Sequence, residues 1–214
     1  IDVALWKQVQ LNARTVRKPS LDDETAEKIV RQPLAAKTPV LYVGGGILLA
    51  DAAEEMREFA ERLSLPVAHT LMGKGALPDD HPLILGMTGF WGTKFINDKC
   101  KGADWILGLG TRFFAADCSS WENDYTFSFP PTKLIQIDID PSEIGRNYPV
   151  AIGAVADLKQ ALEVLNRVAR KLAPKGVERD KLLAEMARNR KAFVAGNAKA
   201  MKSEWSRYFS AILL

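Results

Sequence analysis

The stretch Pro39-Val40-Leu41-Tyr42-Val43-Gly44-Gly45-Gly46 decides the fold. A short apolar run closed by glycines and followed by a helical pattern is typical of the first strand, turn and helix of a Rossmann-like sheet. Glycine accepts positive φ and has no Cβ, so backbone amides in this turn can approach an anionic ligand closely. The next helix is predicted to begin near Asp51, with Glu54 completing a capping box. Its apolar face consists of Ala52, Ala53, Met56, Phe59, Ala60 and Leu63.

Composition excludes several classes of function. Of 214 residues, 47% are hydrophobic and 26% are charged, which is ordinary for a domain with a sizeable core. A net charge of +3, with scattered Lys and Arg, does not indicate nucleic-acid binding. Cys100 and Cys118 are too few for a disulfide framework, so we expect the reducing cytoplasm.

Targeting signals are not evident in the sequence. No apolar run approaches the roughly 20 residues of a membrane span, and no signal peptide is recognised. The chain starts without Met and ends on the apolar segment 211–214, so we expect a piece of a longer polypeptide.

Strand and helix patterns alternate along most of the chain. Strands are predicted over 39–43, 66–70, 104–110, 133–140 and 151–155, and 83–87 is a further short apolar segment. Ser20 and Asp23 form a capping box for a short helix that should stop at Pro33. Thr93 and Asp157 are predicted to open two further helices. This alternation predicts an α/β fold with a doubly wound, mostly parallel sheet.

Three segments lie outside that alternation. Residues 1–19 are predicted to be a linker, and 114–131 a long loop that could cover a ligand or pack against the sheet. Residues 177–208 are charged and helical, which predicts a C-terminal helical extension. Its apolar side is predicted to contain Leu182, Met186, Phe193, Met201, Trp205 and Phe209.

The ends of four predicted strands carry small or polar residues. These ends are 44–46, 70–73, 110–112 and 138–140. Parallel strands bring their carboxyl ends to one edge of the sheet, where ligands bind. There Arg112 would suit a phosphate, and Asp138 or Asp140 a ribose hydroxyl. Alternatively, the glycines only make tight turns and Arg112 pairs with a local carboxylate.

Two other functions remain as alternatives. A nicotinamide-dependent dehydrogenase is disfavoured because Leu49 replaces the third glycine of its fingerprint and the second strand ends in His69-Thr70 rather than an acid. Neither His69 nor His81 has a partner spaced for a catalytic triad or a metal site. A nucleotide-sensing scaffold without catalysis would have the same crevice.

Seven motifs, taken together, match one family. They are 42–46, 70–75, 80–83, 85–89, 92–93, 110–113 and 137–147. From about Leu21 to Leu172 the chain resembles the central domain of thiamine-diphosphate-dependent enzymes of the acetolactate synthase and pyruvate oxidase group.

The resemblance implies a six-stranded central domain over 20–172, between N- and C-terminal thiamine-binding domains that are missing here. It implies that 173–214 is an extension or linker toward one of them. The full enzyme would be a homodimeric or homotetrameric transferase or lyase. With thiamine diphosphate and Mg²⁺ it would make or break a C–C bond beside a carbonyl, as in 2-keto acids. The Gly-Asp-Gly…Asn element that holds magnesium is not found, so we expect this chain to be inactive alone, with no catalytic residue and no metal ligand.

Acetolactate synthases hold FAD in the central-domain crevice, and other relatives hold ADP or leave it empty. Two departures weaken the case for FAD here: Phe114-Ala115-Ala116 replaces acidic and basic residues, and Thr88 replaces a histidine. The positions that the resemblance implies for FAD or ADP are Gly44, Gly45, Gly46, Thr70, Leu71, Met72, Leu85, Gly86, Met87, Gly110, Thr111, Arg112, Asp138, Ile139 and Asp157.

Overall fold

A computed structural model describes the backbone of residues 17–201 and the side chains of 17–196. Six parallel strands form one sheet in the order β3-β2-β1-β4-β5-β6. The strands are β1 (Pro39–Val43), β2 (Val67–His69), β3 (Ile84–Met87), β4 (Trp105–Leu109), β5 (Lys133–Asp138) and β6 (Ile152–Val155). The helices are α1 (Asp23–Ala35), α2 (Gly46–Leu49), α3 (Ala53–Leu63), α4 (Lys94–Lys101), α5 (Ala115–Cys118), α6 (Leu158–Leu172) and α7 (Asp180–Met201). The predicted six-stranded, Rossmann-like sheet is confirmed.

Each face of the sheet has its own core. Successive side chains of a strand point to opposite faces, so β1 contributes to both cores. Leu41 and Val43 pack with buried residues of α1, α3 and α6 on one face. Val40 and Tyr42 pack with buried residues of α4 and the loop after β4 on the other face. The sheet is therefore covered on both sides, as the doubly wound pattern predicted.

The long loop after β4 packs against the sheet. Its ring–ring contacts join five buried aromatic side chains at centroid distances of 4.9 to 6.1 Å. These residues are Tyr42, Phe113, Phe127, Phe129 and Tyr148. The buried part of the loop is thus a core element rather than a ligand cover.

The predicted start and stop of α1 are wrong. Asp22, and not Ser20, is the N-cap, because its carboxylate accepts the amide of Thr25 at 2.7 Å. The helix also continues past Pro33 to Ala35. A proline near the end of a helix disturbs only the last turn, so it does not have to stop the helix there.

The capping box predicted at Asp51 is also wrong. The chain first forms the short helix α2, and α3 begins at Ala53 without a side-chain cap. Asp51 lies between these helices with a φ of 51° and accepts Lys159 Nζ at 2.9 Å. Glu54 instead pairs with Arg57. By contrast, the predicted caps at Thr93 and Asp157 are confirmed, since both accept backbone amides of their helices.

Helix α7 lies across the domain and is held by two arginines. The guanidinium of Arg179 donates to carbonyls at the ends of α1 and α3. That of Arg190 donates to the carbonyls of Asp80, His81 and Ile84, the last of which begins β3. Met186 is buried, but Phe193 is 54% exposed, so the predicted apolar side is wrong at Phe193. The linker was predicted over 1–19, of which residues 1–16 lie outside the described residues, as do the side chains of Met201, Trp205 and Phe209. Within 17–201, no helix has the length and apolarity that crossing a bilayer requires.

Candidate functional site

All six strands end on one edge of the sheet, here called the carboxyl edge. The turns that follow neighbouring strands are joined by backbone hydrogen bonds. Gly44 N donates to Leu109 O at 2.9 Å, and Gly110 N donates to Ile137 O at 2.9 Å. Thr70 N donates to Val43 O at 3.0 Å. The fold therefore brings together the predicted ligand positions 44–46, 70–72, 110–112 and 138–139.

The glycines that follow β1 and β4 let two turns pack backbone to backbone. A Cβ built on Gly44 would lie 2.1 Å from Gly110 O, and one on Gly46 would lie 2.7 Å from Gly110 Cα. Gly110 itself has a φ of 56°. The amides of Gly44 and Gly46 donate to protein carbonyls, whereas that of Gly45 donates to no atom of the described residues. Gly44 and Gly46 thus allow close packing, and of the three amides only that of Gly45 is left to donate to a ligand.

Arg112 pairs with a local carboxylate, as the alternative interpretation of the sequence predicted. Its Nε lies 3.5 Å from Oε1 of Glu143, whose side chain is only 6% exposed. The Arg112 side chain is nevertheless 73% exposed. It is therefore anchored at one nitrogen and open to solvent elsewhere.

The end of β5 combines a carboxylate with an exposed apolar side chain. Asp138 is buried, and its Oδ1 accepts the amide of Asp140 at 3.0 Å. Burial raises the pKa of Asp138. The backbone amides of Asp140 and Ile139 lower this pKa, but burial has the larger effect. The adjacent Ile139 is 56% exposed. A hydroxyl-bearing sugar on the carboxylate and a planar base on the isoleucine would suit this pair.

Asp140 has a different role from the ribose contact that was considered for it. It accepts the amide and hydroxyl of Ser142, at 2.9 and 2.7 Å. These hydrogen bonds lower the pKa of Asp140. Its carboxylate caps the turn Pro141–Glu143 and stays ionised there.

Of the predicted positions, Asp157 lies at the margin of the edge and Leu85 lies away from it. Asp157 caps α6 through the amide of Gln160 at 3.2 Å and pairs with Lys18 at 2.8 Å. Leu85 lines a cavity of about 300 Å³ between β1, α4 and α7, near the opposite end of the strands. The structure therefore does not bring Leu85 to the other predicted residues.

The width of the sheet constrains the ligand. Neighbouring strands lie about 4.8 Å apart, so the ends of β3 and β6 are separated by about 24 Å. A compact nucleotide cannot contact both Met87 and Asp157. Only an extended molecule could use the whole set of predicted positions.

The β2–β3 half of the edge is apolar and exposed. The exposed side chains there and after β4 are Leu71, Met72, Phe90, Trp91 and Phe114. The rings of Phe90 and Trp91 meet at 4.9 Å between centroids. Sequence reasoning did not place Phe90 or Trp91 in the site, although both follow the Leu-Gly-Met motif that it did use.

The remaining reactive side chains are structural. His69 is buried, its Nδ1 lies 2.8 Å from Thr70 O, and burial lowers its pKa. Cys100 and Cys118 are buried thiols, and burial raises the pKa of Cys118 to about 12. Lys74 pairs with Asp79 at 2.7 Å on the surface. Among the side chains of 17–196, no three His, Cys, Asp or Glu residues are grouped to hold a metal ion.

The sequence analysis assigned no role in the site to three polar residues near Arg112, which are Gln136, Glu143 and Arg146, although the motif 137–147 contains the last two. Gln136 is 2% exposed and donates to Thr111 O and Glu143 O, at 3.1 and 2.9 Å. Arg146 donates to Glu143 Oε1 at 2.9 Å. For Gln136 the available signal was its place within the apolar run of β5, since an amide in that position needs buried partners.

Comparisons with known proteins agree with this architecture. The family model described as thiamine pyrophosphate enzyme, central domain, matches residues 26–165. Acetolactate synthase large subunit from Haemophilus influenzae is 42% identical over 137 residues, covering 64% of this chain and 23% of the relative. Glyoxylate carboligase from Escherichia coli O157:H7 is 39% identical over 162 residues, covering 75% of this chain and 27% of the relative.

A solved structure has the same fold. Benzoylformate decarboxylase from Polynucleobacter necessarius aligns with a TM-score of 0.58 and 26% identity, covering 73% of this chain and 29% of that one. The chain thus spans about a quarter of the length of the curated relatives it matches. The match over 26–165 and the all-parallel sheet confirm the resemblance found in the motifs, and this chain belongs to the thiamine pyrophosphate enzyme central-domain family.

Proposed function

We propose that this chain is the central domain of a longer thiamine-diphosphate-dependent enzyme that makes or breaks a C–C bond beside the carbonyl of a 2-keto acid or a related substrate. The observation that carries this proposal is the identity of 39 to 42% to an acetolactate synthase and a glyoxylate carboligase. In this proposal, residues 20–172 brace the thiamine-binding domains and contribute to subunit contacts.

We assign thiamine diphosphate and Mg²⁺ to other domains of the longer enzyme, as the family resemblance implies. With pyruvate, thiamine diphosphate and Mg²⁺, we expect the chain alone to form no product, and turnover would overturn this part of the proposal.

We further propose that the carboxyl edge binds an adenine nucleotide. The supporting observation is that the buried Asp138 carboxylate and the exposed Ile139 are neighbours at the end of β5, and that the exposed Arg112 lies on the same edge of the sheet. In this arrangement Asp138 accepts a ribose hydroxyl, Ile139 packs on the base, and Arg112 faces the phosphates. An extended FAD would also reach the apolar half of the edge.

Calorimetric titration of the chain with adenosine, ADP and NAD tests this role. ADP should bind no more weakly than NAD. Asp138→Asn should weaken adenosine, and Arg112→Ala should weaken ADP without unfolding the domain. The exposed Asp80 and Arg188 supply the matched controls Asp80→Asn and Arg188→Ala. NAD binding tighter than ADP, or variants that bind as the wild type does, would contradict the assignment.

A further inference from the structure

We infer that Arg146 is a second phosphate-binding residue of the carboxyl edge, held beside Arg112 by the buried carboxylate of Glu143. This inference rests on the proposed nucleotide role and assigns to it a two-guanidinium anion subsite. Arg146 lies in the motif 137–147, 34 positions after Arg112, but the sequence analysis assigned it no role in the site.

Both guanidiniums meet at one buried oxygen. Glu143 Oε1 lies 2.9 Å from Arg146 Nη1 and 3.5 Å from Arg112 Nε. The Glu143 side chain is 6% exposed, whereas those of Arg146 and Arg112 are 61% and 73% exposed. The carboxylate is therefore a fixed inner anchor from which two cationic side chains extend into solvent.

Gln136 fixes the two turns that carry these arginines. Its Nε2 donates to Thr111 O in one turn and to Glu143 O in the other. Its Oε1 accepts the amide of Gly145 at 3.0 Å. One buried amide thus uses its donors and its acceptor to set the spacing of Arg112 and Arg146. Such preorganisation lowers the entropic cost of binding a ligand between them.

The two guanidiniums keep donors that the described residues do not use. An arginine has five N–H donors. Arg146 donates through Nη1 to Glu143, and Arg112 makes its ion pair with the same carboxylate. Among the described residues, Glu143 is the one carboxylate within 4.0 Å of both guanidiniums, and the charge of both also lowers the pKa of the nearby Asp140. Guanidinium forks bind phosphate oxygens in pairs, so a phosphate or diphosphate fits the open sides of this pair.

The neighbouring acids do not take up these donors. Asp140 is committed to the amide and hydroxyl of Ser142, and Asp138 accepts the amide of Asp140. Glu143 Oε2 is buried and has no hydrogen-bond partner among the described residues. A buried carboxylate oxygen without a donor is costly. Movement of Arg112 onto Oε2 when a ligand binds would give that oxygen its partner.

Calorimetry with adenosine and ADP separates the anion subsite from the rest of the edge. Arg146→Gln should weaken ADP by roughly tenfold or more, the effect of losing a charge-assisted hydrogen bond, and leave adenosine unchanged. Arg146→Lys should recover part of the loss, because it restores the charge and not the fork. Arg188→Gln, in an exposed position of α7, is the control and should bind ADP as the wild type does. Thermal unfolding confirms that each variant is folded.

The outcomes distinguish this inference from the proposed function. If wild type binds ADP and Asp138→Asn weakens adenosine, but Arg146→Gln binds ADP normally, the nucleotide role stands and the Arg146 inference fails. Equal losses for adenosine and ADP in Arg146→Gln would show that Arg146 acts on the fold and not on the phosphates. If the wild type binds neither ligand, both proposals fail together.

Discussion

Gly44 and Gly110 are in backbone contact: a Cβ on Gly44 would lie 2.1 Å from the carbonyl oxygen of Gly110. This contact joins the turns after β1 and β4, where the strand order changes direction. In open parallel sheets, ligands bind above that point. The two glycines therefore form the floor of the candidate site, and the polar side chains of β4 and β5 form one side of it.

Gly44→Ala should destabilise the domain, because the new methyl group overlaps a backbone oxygen that cannot move without displacing β4. Overpacking of this kind costs about 1–3 kcal/mol. Gly196→Ala is the control, since a Cβ there meets no atom within 4 Å and alanine favours helix α7. Urea unfolding followed by circular dichroism measures both. Equal stability of Gly44→Ala and wild type would show that the turn can separate from β4.

Gln136→Met should destabilise the domain by about 2–4 kcal/mol, because it leaves two buried carbonyls and one amide without their partner. Gln32→Met, at a half-buried position of α1 whose side chain makes no hydrogen bond within the described residues, should stay within about 0.5 kcal/mol of wild type. Chemical unfolding again provides the measurement. A loss as small as that of the control would mean that the turns hold their positions without this side chain.

Arg179→Lys should loosen α7. The guanidinium reaches Pro33 O at 2.6 Å, Ala36 O at 3.1 Å and Leu63 O at 3.4 Å, and a single ammonium cannot reproduce that fork. Amide hydrogen exchange across α7 should accelerate by roughly tenfold, since the lost bonds are worth about 1–2 kcal/mol. Arg188→Lys on the exposed side of the same helix should exchange as wild type does. Unchanged protection in Arg179→Lys would place the anchor of α7 elsewhere.

The carboxylate of Asp138 should make stability depend on pH. Burial raises its pKa in the folded state above the ordinary value of 3.8, so ionisation favours the unfolded chain. The free energy of unfolding of the wild type, relative to that of Asp138→Asn, should therefore fall as pH rises from the ordinary pKa of an aspartate to the raised pKa of Asp138. It should level off at higher pH. Unfolding curves between about pH 3 and pH 7 test this. A wild type whose stability rises relative to that of Asp138→Asn as pH rises would contradict the assignment.

Much of the fold follows from local patterns. The apolar run before Gly44 predicted β1, the alternation of strands and helices predicted the parallel sheet, and Thr93 and Asp157 predicted two helix starts. These features depend on residues a few positions apart, so helix and strand propensities and capping residues are enough to predict them. The failure at Ser20 is also local, because Asp22 offers an alternative cap two residues later. The failure at Asp51 is not local, because Asp51 pairs with Lys159, 108 positions away.

The sequence by itself determined that strand ends with glycines, Arg112 and Asp138 would share one edge, because parallel strands leave no other arrangement. Tertiary structure alone decided what those residues touch. In the folded chain Gly110 contacts Gly44, Glu143 pairs with Arg112, and Leu85 lies away from the carboxyl edge. Contacts between residues tens of positions apart depend on how helices and loops pack on the sheet, and no spacing in the sequence records that packing.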